Sequence, residues 1–214
     1  MIGIVDYGMG NLHSVSKALE RLNVPYVLSG DREELAKCAG LILPGVGAFA
    51  DAMKILNERR LTPWLKRWVA DEKPLLGICL GMQLLFEESE EHGHTAGLSL
   101  LPGQAVRFRG KTRAGRRYKV PHMGWNKLNY TQPEHPLVRD TERGHVYFVH
   151  SYVVEATTSE VVIATAEYDG DVPAIVGRNH VFGTQFHPEK SSHLGMQLLR
   201  NYVTYVQERQ ASDQ

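Results

Sequence analysis

A cysteine held between two glycines, where an apolar run meets a helix-forming run, constrains the fold of this chain more than any other feature. Residues 75–78 are mostly apolar and predict a buried strand, which Cys79 follows directly. Gly77 and Gly81 stand two residues before and two residues after the cysteine, and residues 82–88 predict a helix. Because glycine permits a turn too tight for a side chain, this pattern predicts an elbow that lifts a nucleophile out of a parallel sheet. At a helix N-terminus, exposed N–H groups and the helix dipole favour the thiolate form of such a cysteine.

A histidine and a glutamate far along the chain are the best candidates for activating that thiolate. His187 and Glu189 are separated by Pro188, which stiffens the segment. In an extended chain, residues two apart project to the same side, so the carboxylate can orient the imidazole and stabilise its charged form. Each feature alone has an ordinary explanation, a packed cysteine or a turn after a strand. Together they predict a triad of Cys79, His187 and Glu189.

The composition narrows the class of protein. Lys and Arg together number 24, and so do Asp and Glu, so the zero net charge argues against nucleic acid or an anionic membrane as a main partner. Cys38 and Cys79 are the two cysteines, which excludes a disulfide framework and favours a reducing cytoplasm. The N-terminus lacks the basic region of a signal peptide, and the apolar run over residues 41–50 is too short for a membrane span. We therefore expect a cytoplasmic protein that has no nucleic-acid or membrane partner.

The order of apolar and amphipathic segments predicts an α/β fold. In the first half, strands are predicted over residues 2–6, 26–28, 41–43 and 75–78, and helices over residues 11–22, 31–37, 50–58 and 63–70. Asn11 is a candidate cap for the first of these helices. Such alternation favours an open, mostly parallel central sheet that is flanked by helices.

The second half changes to short strands and predicts an additional β-rich, partly antiparallel region. Strands are predicted over residues 105–109, 117–120, 127–130, 146–154, 161–168, 173–176 and 181–186, and a last helix over residues 192–206. No Pro/Ser-rich linker or repeat divides the chain. We expect a single domain over residues 1–209 and a loose tail over residues 210–214.

Three first-half loops are expected to meet at one edge of the sheet, because the active sites of open parallel sheets lie at the carboxyl ends of the strands. They are residues 6–11, residues 44–47 and the Cys79 elbow. The N–H of Leu80 is one candidate donor to an oxyanion. The second is the Pro44-Gly45-Val46-Gly47 segment around Gly47, whose glycines allow a peptide N–H to turn toward a substrate; a plain turn is the alternative.

Two other motifs carry weaker signals. Gly8 and Gly10 follow a strand, but His13 stands where a dinucleotide loop would need its third glycine, so nucleotide binding is disfavoured. His92 and His94 lie in a polar loop without a third ligand at suitable spacing, which indicates a solvated loop rather than a metal site.

The motifs resemble those of the class I (triad) glutamine amidotransferases. The resemblance is carried by Gly77-Ile78-Cys79-Leu80-Gly81-Met82-Gln83 and His187-Pro188-Glu189. Three further segments are similar to the glutaminase subunits of imidazole glycerol phosphate synthase, an enzyme of histidine biosynthesis. These are Asp6-Tyr7-Gly8-Met9-Gly10-Asn11, Pro121-His122-Met123-Gly124-Trp125-Asn126 and His187-Pro188-Glu189-Lys190-Ser191-Ser192. The resemblance runs from about residue 2 to about residue 205 and implies the class I amidotransferase fold.

What the resemblance implies about function is specific. The substrate would be L-glutamine, hydrolysed through a thioester on Cys79 without metal or organic cofactor. The ammonia would pass to a (β/α)8-barrel cyclase subunit in a heterodimer, which makes imidazole glycerol phosphate and aminoimidazole carboxamide ribotide. By the same resemblance, Gln83 and Glu91 would hold the α-amino group, and the backbone near Ser151 and Tyr152 the α-carboxylate.

The resemblance also assigns an interface with the cyclase, at Asn11, Trp125 and Lys190. From the residues alone, Trp125 suits the core and an interface equally well. These three residues belong to motifs that amide hydrolysis does not need. We therefore expect the isolated chain to be a poor glutaminase that its partner activates.

Other functions are open at this stage. One is a glutaminase for pyridoxal phosphate, anthranilate or aminodeoxychorismate synthesis, against which the 7–11 and 121–126 segments weigh. Another is a cysteine peptidase or γ-glutamyl hydrolase. A third is a non-enzymatic regulatory subunit, which the intact Cys79, His187 and Glu189 set disfavours.

Overall fold

The first half of the chain alternates strands and helices, as its sequence pattern predicts. The computed structural model describes residues 1–212. The strands are β1 (Ile2–Val5), β2 (Tyr26–Ser29), β3 (Gly40–Gly45) and β4 (Leu75–Cys79). The helices are α1 (Leu12–Arg21), α2 (Arg32–Ala36), α3 (Phe49–Glu58), α4 (Leu61–Ala70) and α5 (Leu80–Leu84).

The second half is dominated by strands and closes with a long helix. The strands are β5 (Glu88–Ser89), β6 (Thr95–Ala96), β7 (Gly103–Arg107), β8 (His122–Lys127), β9 (Asn129–Tyr130), β10 (His145–His150), β11 (Tyr152–Ala156), β12 (Val162–Glu167), β13 (Asp171–Arg178) and β14 (Val181–Thr184). Short 3-10 turns span Ser159–Val161 and Pro188–Lys190, and the last helix is α6 (Ser192–Ser212).

Within residues 1–212 the largest sheet has eight strands in the order β2-β1-β3-β4-β14-β13-β12-β9. The pairs from β2 to β14 are parallel, and the pairs from β14 to β9 are antiparallel. Two smaller sheets join β10 to β8, and β11, β7, β5 and β6 in that order. The predicted α/β class, a mostly parallel central sheet with a partly antiparallel second half, is confirmed.

Two apolar layers cover the faces of the central sheet, and alternate strand residues face each layer. Ile42 packs on the side of α1 and α6, whereas Leu41 and Leu43 pack on the side of α2, α3 and α4. The Tyr202 hydroxyl of α6 donates to the Leu41 carbonyl at 2.6 Å, which anchors the last helix to the sheet. No helix in residues 1–212 has the length and hydropathy to cross a membrane.

The helix after the cysteine is shorter than predicted. The pattern over residues 82–88 indicated a helix, but α5 ends at Leu84. The carbonyls of Leu84 and Leu85 accept the N–H groups of Leu98 and Leu100, both at 2.8 Å, instead of those of the next helical turn. The chain then turns into β5.

Two strand predictions in the second half are wrong. Residues 117–120 form no strand; Arg117 makes an isolated bridge with Lys111 in an exposed segment crowded with positive charge. The predicted strand over residues 146–154 is divided at Ser151, because β10 pairs with β8 and β11 pairs with β7. The β8 strand itself, over part of the 121–126 motif, was not predicted.

The predicted end of the last helix and the predicted cap of the first helix also need correction. Helix α6 continues to Ser212, so the part of the expected loose tail at residues 210–212 is helical; residues 213 and 214 lie outside the described residues. The Ser212 hydroxyl donates to the Glu208 carbonyl at 2.9 Å, and Arg209 pairs with Glu72 at 3.7 Å, which extends the helix. Asn11 precedes α1 but, within the described chain, makes no side-chain capping bond.

Candidate active site

Cys79 lies on a strained turn at the carboxyl end of β4. Its φ of 56° and ψ of −113° are unusual for a residue with a side chain, a strain that typically costs about 1–3 kcal/mol. The flanking glycines permit the turn by close contact: a Cβ on Gly81 would lie 1.9 Å from the Leu43 carbonyl oxygen, and one on Gly77 would lie 2.4 Å from that of Gly81. Cys79 is only 7% exposed. The predicted elbow is therefore present, and it requires glycine at both positions.

His187 and Glu189 are joined by a short hydrogen bond. The imidazole Nδ1 lies 2.7 Å from Glu189 Oε1, and both side chains are almost fully buried. The expected extended geometry is wrong, because residues 188–190 form a 3-10 turn. The turn folds the carboxylate back onto the ring. With Nδ1–H donating to Glu189, the other ring nitrogen is free for Cys79.

The electrostatics of this cluster favour a charged imidazole. Burial lowers the pKa of His187, but hydrogen bonds to Cys79 and Glu189 and the negative charges of both groups outweigh burial and raise it above its ordinary value. An imidazolium next to the sulfur stabilises a thiolate.

The backbone of His187 is fixed by β10. Its N–H donates to the Tyr147 carbonyl at 3.1 Å. The Ser191 hydroxyl donates to the His187 carbonyl at 2.6 Å and accepts the Tyr147 N–H at 3.0 Å. Ser191 is buried and was not predicted as part of the site. Its place between two elements could not be read from the sequence, because Tyr147 is remote along the chain.

A cavity of about 490 Å³ opens beside the sulfur. It is lined by Val46, Gly47, Cys79, Leu80, Gln83, Glu91, Arg107, Pro121, Val149, His150, Ser151, Tyr152 and His187. The structure thus brings together the predicted triad cysteine and histidine, the two predicted oxyanion donors and the four residues expected to bind glutamine. Arg107 and His150 line the cavity without having been predicted.

The 44–47 segment is held from both sides. The buried Tyr7 hydroxyl donates to the Pro44 carbonyl at 2.8 Å, which joins the first loop to the second as expected for one sheet edge. Glu91 Oε2 accepts the N–H of Phe49, the first residue of α3, at 2.9 Å. Between these two anchors, Gly47 has a φ of +98°, a conformation suited to glycine.

Two buried glutamines connect the cavity wall to the sulfur. Gln83 Nε2 lies 3.2 Å from the Tyr152 carbonyl and 3.2 Å from Gln185 Oε1. Gln185 Nε2 in turn lies 4.0 Å from the Cys79 sulfur. Gln185 was not predicted, although its position two residues before His187 is a signal that both side chains face one side.

The three residues expected at the partner interface lie outside this cavity. Trp125 is 55% exposed and makes an edge contact with Tyr147 at 6.0 Å between ring centroids. Trp125, Glu189 and Lys190 line a separate cleft next to the triad. Asn11 follows the loop after β1 at the same sheet edge. The open question of Trp125 as core or surface is settled in favour of surface.

Comparison with known proteins is consistent with this geometry. The model of the family described as "Glutamine amidotransferase class-I" matches residues 3–205. A protein of Halalkalibacterium halodurans named "Imidazole glycerol phosphate synthase subunit HisH" is 64% identical over 207 residues, 97% of each chain. Proteins with the same name are 66% identical in Geobacillus kaustophilus, over 95% of this chain and 96% of that one, and 52% identical in Bacillus subtilis, over 98% of each.

Solved structures share the fold at lower identity. A structure titled "Crystal structure of glutamine amidotransferase" superposes with a TM-score of 0.75 at 22% identity, covering 96% of this chain and 98% of that one. "Structure of PurLQS from Thermotoga maritima" gives a TM-score of 0.69 at 19% identity, with the same coverage. At these identities the likeness shows the fold alone.

Proposed function

The chain belongs to the class I glutamine amidotransferases, among the HisH subunits of imidazole glycerol phosphate synthase, and from this premise we propose that it hydrolyses L-glutamine at Cys79 and delivers the ammonia to a cyclase subunit. The observation that carries the proposal is the buried cluster of an elbow cysteine, a histidine that lines the same cavity and a carboxylate 2.7 Å from that histidine. This is the arrangement that activates a thiol for acyl transfer.

The first half-reaction forms a thioester. The Cys79 thiolate attacks the side-chain amide carbon of glutamine, and the carbonyl oxygen becomes an oxyanion. The N–H of Leu80 and a backbone N–H of the segment around Gly47 stabilise this charge. His187 gives its proton to the leaving nitrogen, so ammonia departs and a γ-glutamyl thioester remains.

The second half-reaction restores the enzyme. His187, now neutral, takes a proton from a water molecule, which attacks the thioester carbon. The same donors hold the second oxyanion, the C–S bond breaks, and glutamate leaves with the thiolate regenerated. Glu189 keeps the imidazole oriented in both halves and stabilises its charged form, and no cofactor is required.

The cavity offers separate groups for the two ends of the amino acid. The Glu91 carboxylate, together with Gln83, binds the α-ammonium group. Backbone groups around Ser151 and Tyr152 bind the α-carboxylate. Both sets of groups line the same cavity as Cys79, so a bound glutamine can present its side-chain amide to the sulfur.

The partner is proposed to be the (β/α)8-barrel cyclase subunit in a cytoplasmic heterodimer. Trp125 supports this proposal because a large exposed aromatic is a typical interface anchor, and the cleft that it shares with Lys190 borders the triad. Asn11 lies at the same edge of the sheet. A docked subunit at this edge receives ammonia directly and acts in histidine biosynthesis.

Complementation tests the biosynthetic assignment. A bacterial strain lacking its own HisH subunit should grow without histidine, at low ammonium, when it carries this chain together with its cyclase. The Cys79→Ala variant should fail under the same conditions and recover at high ammonium. Rescue instead of a strain that lacks the glutaminase for anthranilate or pyridoxal phosphate would contradict the assignment.

A further inference from the structure

Two buried histidines outside the triad form a direct hydrogen bond. His122, on β8, and His150, at the end of β10, lie opposite each other across the strand pair. His122 Nδ1 lies 2.9 Å from His150 Nε2, and the two side chains belong to residues only 3% and 5% exposed. Neither histidine has a part in the chemistry proposed above. Polar groups buried in this way are retained where their hydrogen bonds are complete.

One end of this pair is fixed by an asparagine. Asn126 Nδ2 donates to the Glu167 carbonyl at 2.8 Å, and its Oδ1 accepts the N–H of Lys127 at 2.8 Å. These two contacts set the orientation of the amide. Its Nδ2 also lies 3.3 Å from His122 Nε2, so that nitrogen must be the acceptor.

The other end is fixed by a backbone carbonyl. His150 Nδ1 lies 2.8 Å from the carbonyl oxygen of Tyr152, which can only accept, so Nδ1 carries the proton. The His150 Nε2 is then bare and accepts from His122 Nδ1–H. Both ends therefore give the same answer: two neutral imidazoles, each protonated at Nδ1.

The surroundings keep both rings neutral and in place. His122 is stacked between Phe148 and Tyr168, with ring centroids 4.5 Å and 4.0 Å away. Burial lowers the pKa of His122 to about 4 and that of His150 to about 3. At neutral pH the order of donors and acceptors is thus maintained.

The row of hydrogen bonds from Asn126 through His122 and His150 ends at the wall of the catalytic cavity. The Tyr152 carbonyl accepts from His150 and also from Gln83, so side chains of β10 and α5 hold the same oxygen. Ser151 lies between His150 and Tyr152, at the break between β10 and β11, and all three line the cavity.

This row of hydrogen bonds begins on β8, a strand with an exposed apolar face. Along β8, His122 points inward, whereas Met123 and Trp125 are 62% and 55% exposed, the highest values among the large apolar side chains of the described residues. The strand β8 therefore carries both the surface proposed to meet the cyclase and the first residue of the hydrogen-bonded histidine pair.

We propose that His122 and His150 are positioning residues: their ordered pair of imidazoles fixes the backbone around Ser151 that binds the α-carboxylate of glutamine, and ties it to β8. This inference rests on the proposed function and deepens it. Neither ring touches the reacting atoms; they act through the Tyr152 carbonyl.

The tautomers are the first test, made on the full chain without any substitution. Nitrogen-15 NMR of the imidazoles should show His122 and His150 neutral and protonated at Nδ1. His135 is the internal reference: it is part-buried with a pKa lowered to about 4, but its Nδ1 accepts the N–H of Leu137, so its proton belongs on Nε2. A proton on Nε2 of either His122 or His150 at neutral pH would contradict this order of donors and acceptors and overturn the proposal.

Two thiol reagents provide the second test, because they separate glutamine recognition from sulfur reactivity. A chloroketone analogue of glutamine carries the α-amino acid group, whereas iodoacetamide does not; each loses its halide as a thioether forms at Cys79, which mass spectrometry locates. His122→Phe keeps a ring between its aromatic neighbours and removes the donor to His150. It should slow the chloroketone reaction about 5- to 10-fold and leave the iodoacetamide reaction within about twofold.

Matched variants complete the design. His122→Asn retains a side-chain N–H near the place of Nδ1 and should recover most of the chloroketone rate. His135→Phe removes a comparable histidine elsewhere and should leave both rates unchanged. Equal slowing of both reagents in His122→Phe, or no slowing of either, would overturn the positioning role. Wild-type protein in complex with the cyclase that reacts with iodoacetamide but not with the chloroketone would instead refute the glutamine assignment beneath it.

Discussion

At the scale of single residues, the chemistry depends on how two neighbours act on one imidazole. Glu189 uses Oε1 for His187, while its Oε2 is buried and has no hydrogen-bond partner among the described residues. The carboxylate therefore contributes one bond and a charge. Cys79 is the second neighbour that raises the pKa of the imidazole.

Substitutions should rank according to these roles. We expect Cys79→Ala to be worst for glutamine hydrolysis and His187→Ala to be close to it, since losing general acid–base catalysis costs about 10²–10⁴-fold. Glu189→Gln keeps an oxygen acceptor for the imidazole and loses only the charge, so it should be milder. Steady-state rates of the three variants in the assembled enzyme are the measurement. A larger loss in Glu189→Gln than in His187→Ala would show that these roles are misassigned.

The charge on His187 also predicts a dependence on pH. Its folded-state pKa, raised to about 10, lies above its ordinary value of 6.5. Protonation of His187 therefore stabilises the fold fully below about pH 6.5, and this contribution is lost as the pH rises toward 10. In Cys79→Ala, one of the two groups that raise the pKa of His187 is removed. The pKa of His187, and with it the pH range over which this stability is lost, should therefore move lower. NMR titration of His187 and urea unfolding at a series of pH values check both points; an unchanged midpoint in the variant would contradict the coupling.

At the scale of elements, the site depends on close backbone contact between β3, β4 and α5. Residues 43–45 of β3 pass directly under the turn at Cys79, where Gly45 pairs with that cysteine. The neighbouring 44–47 segment is anchored by Tyr7 at one end and, through Phe49, by Glu91 at the other. The carboxylate that we propose as a ligand of the substrate is thus linked to the segment that we propose as an oxyanion donor.

Gly81→Ala should break this arrangement. The new Cβ would lie 1.9 Å from the backbone oxygen of Leu43, which cannot move without disturbing the central sheet. We expect a loss of more than about 3 kcal/mol in the free energy of unfolding, measured by urea denaturation. Gly144→Ala is the matched control, because its nearest contact is the flexible end of Leu194 at 3.3 Å. Similar stability for the two variants would argue against the tight elbow.

At the scale of the whole molecule, the sequence predicts the parallel half of the fold well and the antiparallel half less well. Apolar strands such as residues 75–78 are buried on both faces, so local pattern and final environment agree. The strand β8 escaped prediction because it buries a histidine, exposes the apolar Met123 and Trp125 and contains a glycine. Its pairing with β10 fixes it as a strand. Residues 117–120 showed the converse, a β-like pattern that finds no partner strand within residues 1–212 and makes only the bridge from Arg117 to Lys111.

The residues of the candidate site also divide into those that the sequence predicts and those that it does not. Cys79, His187 and Glu189 stand in motifs whose chemistry can be read locally. Gln185 has only its spacing of two from His187 as a local signal, and the histidine pair has none, because their contacts join elements that are distant along the chain. The short helix α5 belongs to this second group, since residues 98–101 end it from outside.

The complex should behave differently from the isolated chain. We expect slow glutamine hydrolysis by the lone chain, faster hydrolysis with the cyclase, and the fastest with ligand bound to the cyclase. A missing oxyanion donor costs about 2.7–4 kcal/mol, or about 10²–10³ in rate, enough for such a switch through the 44–47 segment. Glutaminase rates in the three states are the measurement, and equal rates would refute the coupling.

Interface variants test the same surface directly. Trp125→Ala and Lys190→Ala should weaken association or activation while thermal unfolding of the chain stays unchanged. For Trp125, a loss of about 2 kcal/mol in binding is expected of a central aromatic anchor. Leu28→Ala is a suitable control, because Leu28 is also a large exposed apolar residue but lies on the edge strand β2. Equal binding by the Trp125 and Leu28 variants would remove Trp125 from the interface.

The central claim is that Cys79 generates ammonia for a reaction completed elsewhere. The most direct test compares glutamine-dependent and ammonia-dependent synthesis by the assembled enzyme carrying Cys79→Ala. Glutamine-dependent synthesis should be abolished, whereas synthesis from added ammonia should continue at the wild-type rate. Cys38→Ala, which removes the other cysteine from a packed position beside α2, should keep most of both activities. Glutamine-dependent synthesis that survives in Cys79→Ala would contradict the account.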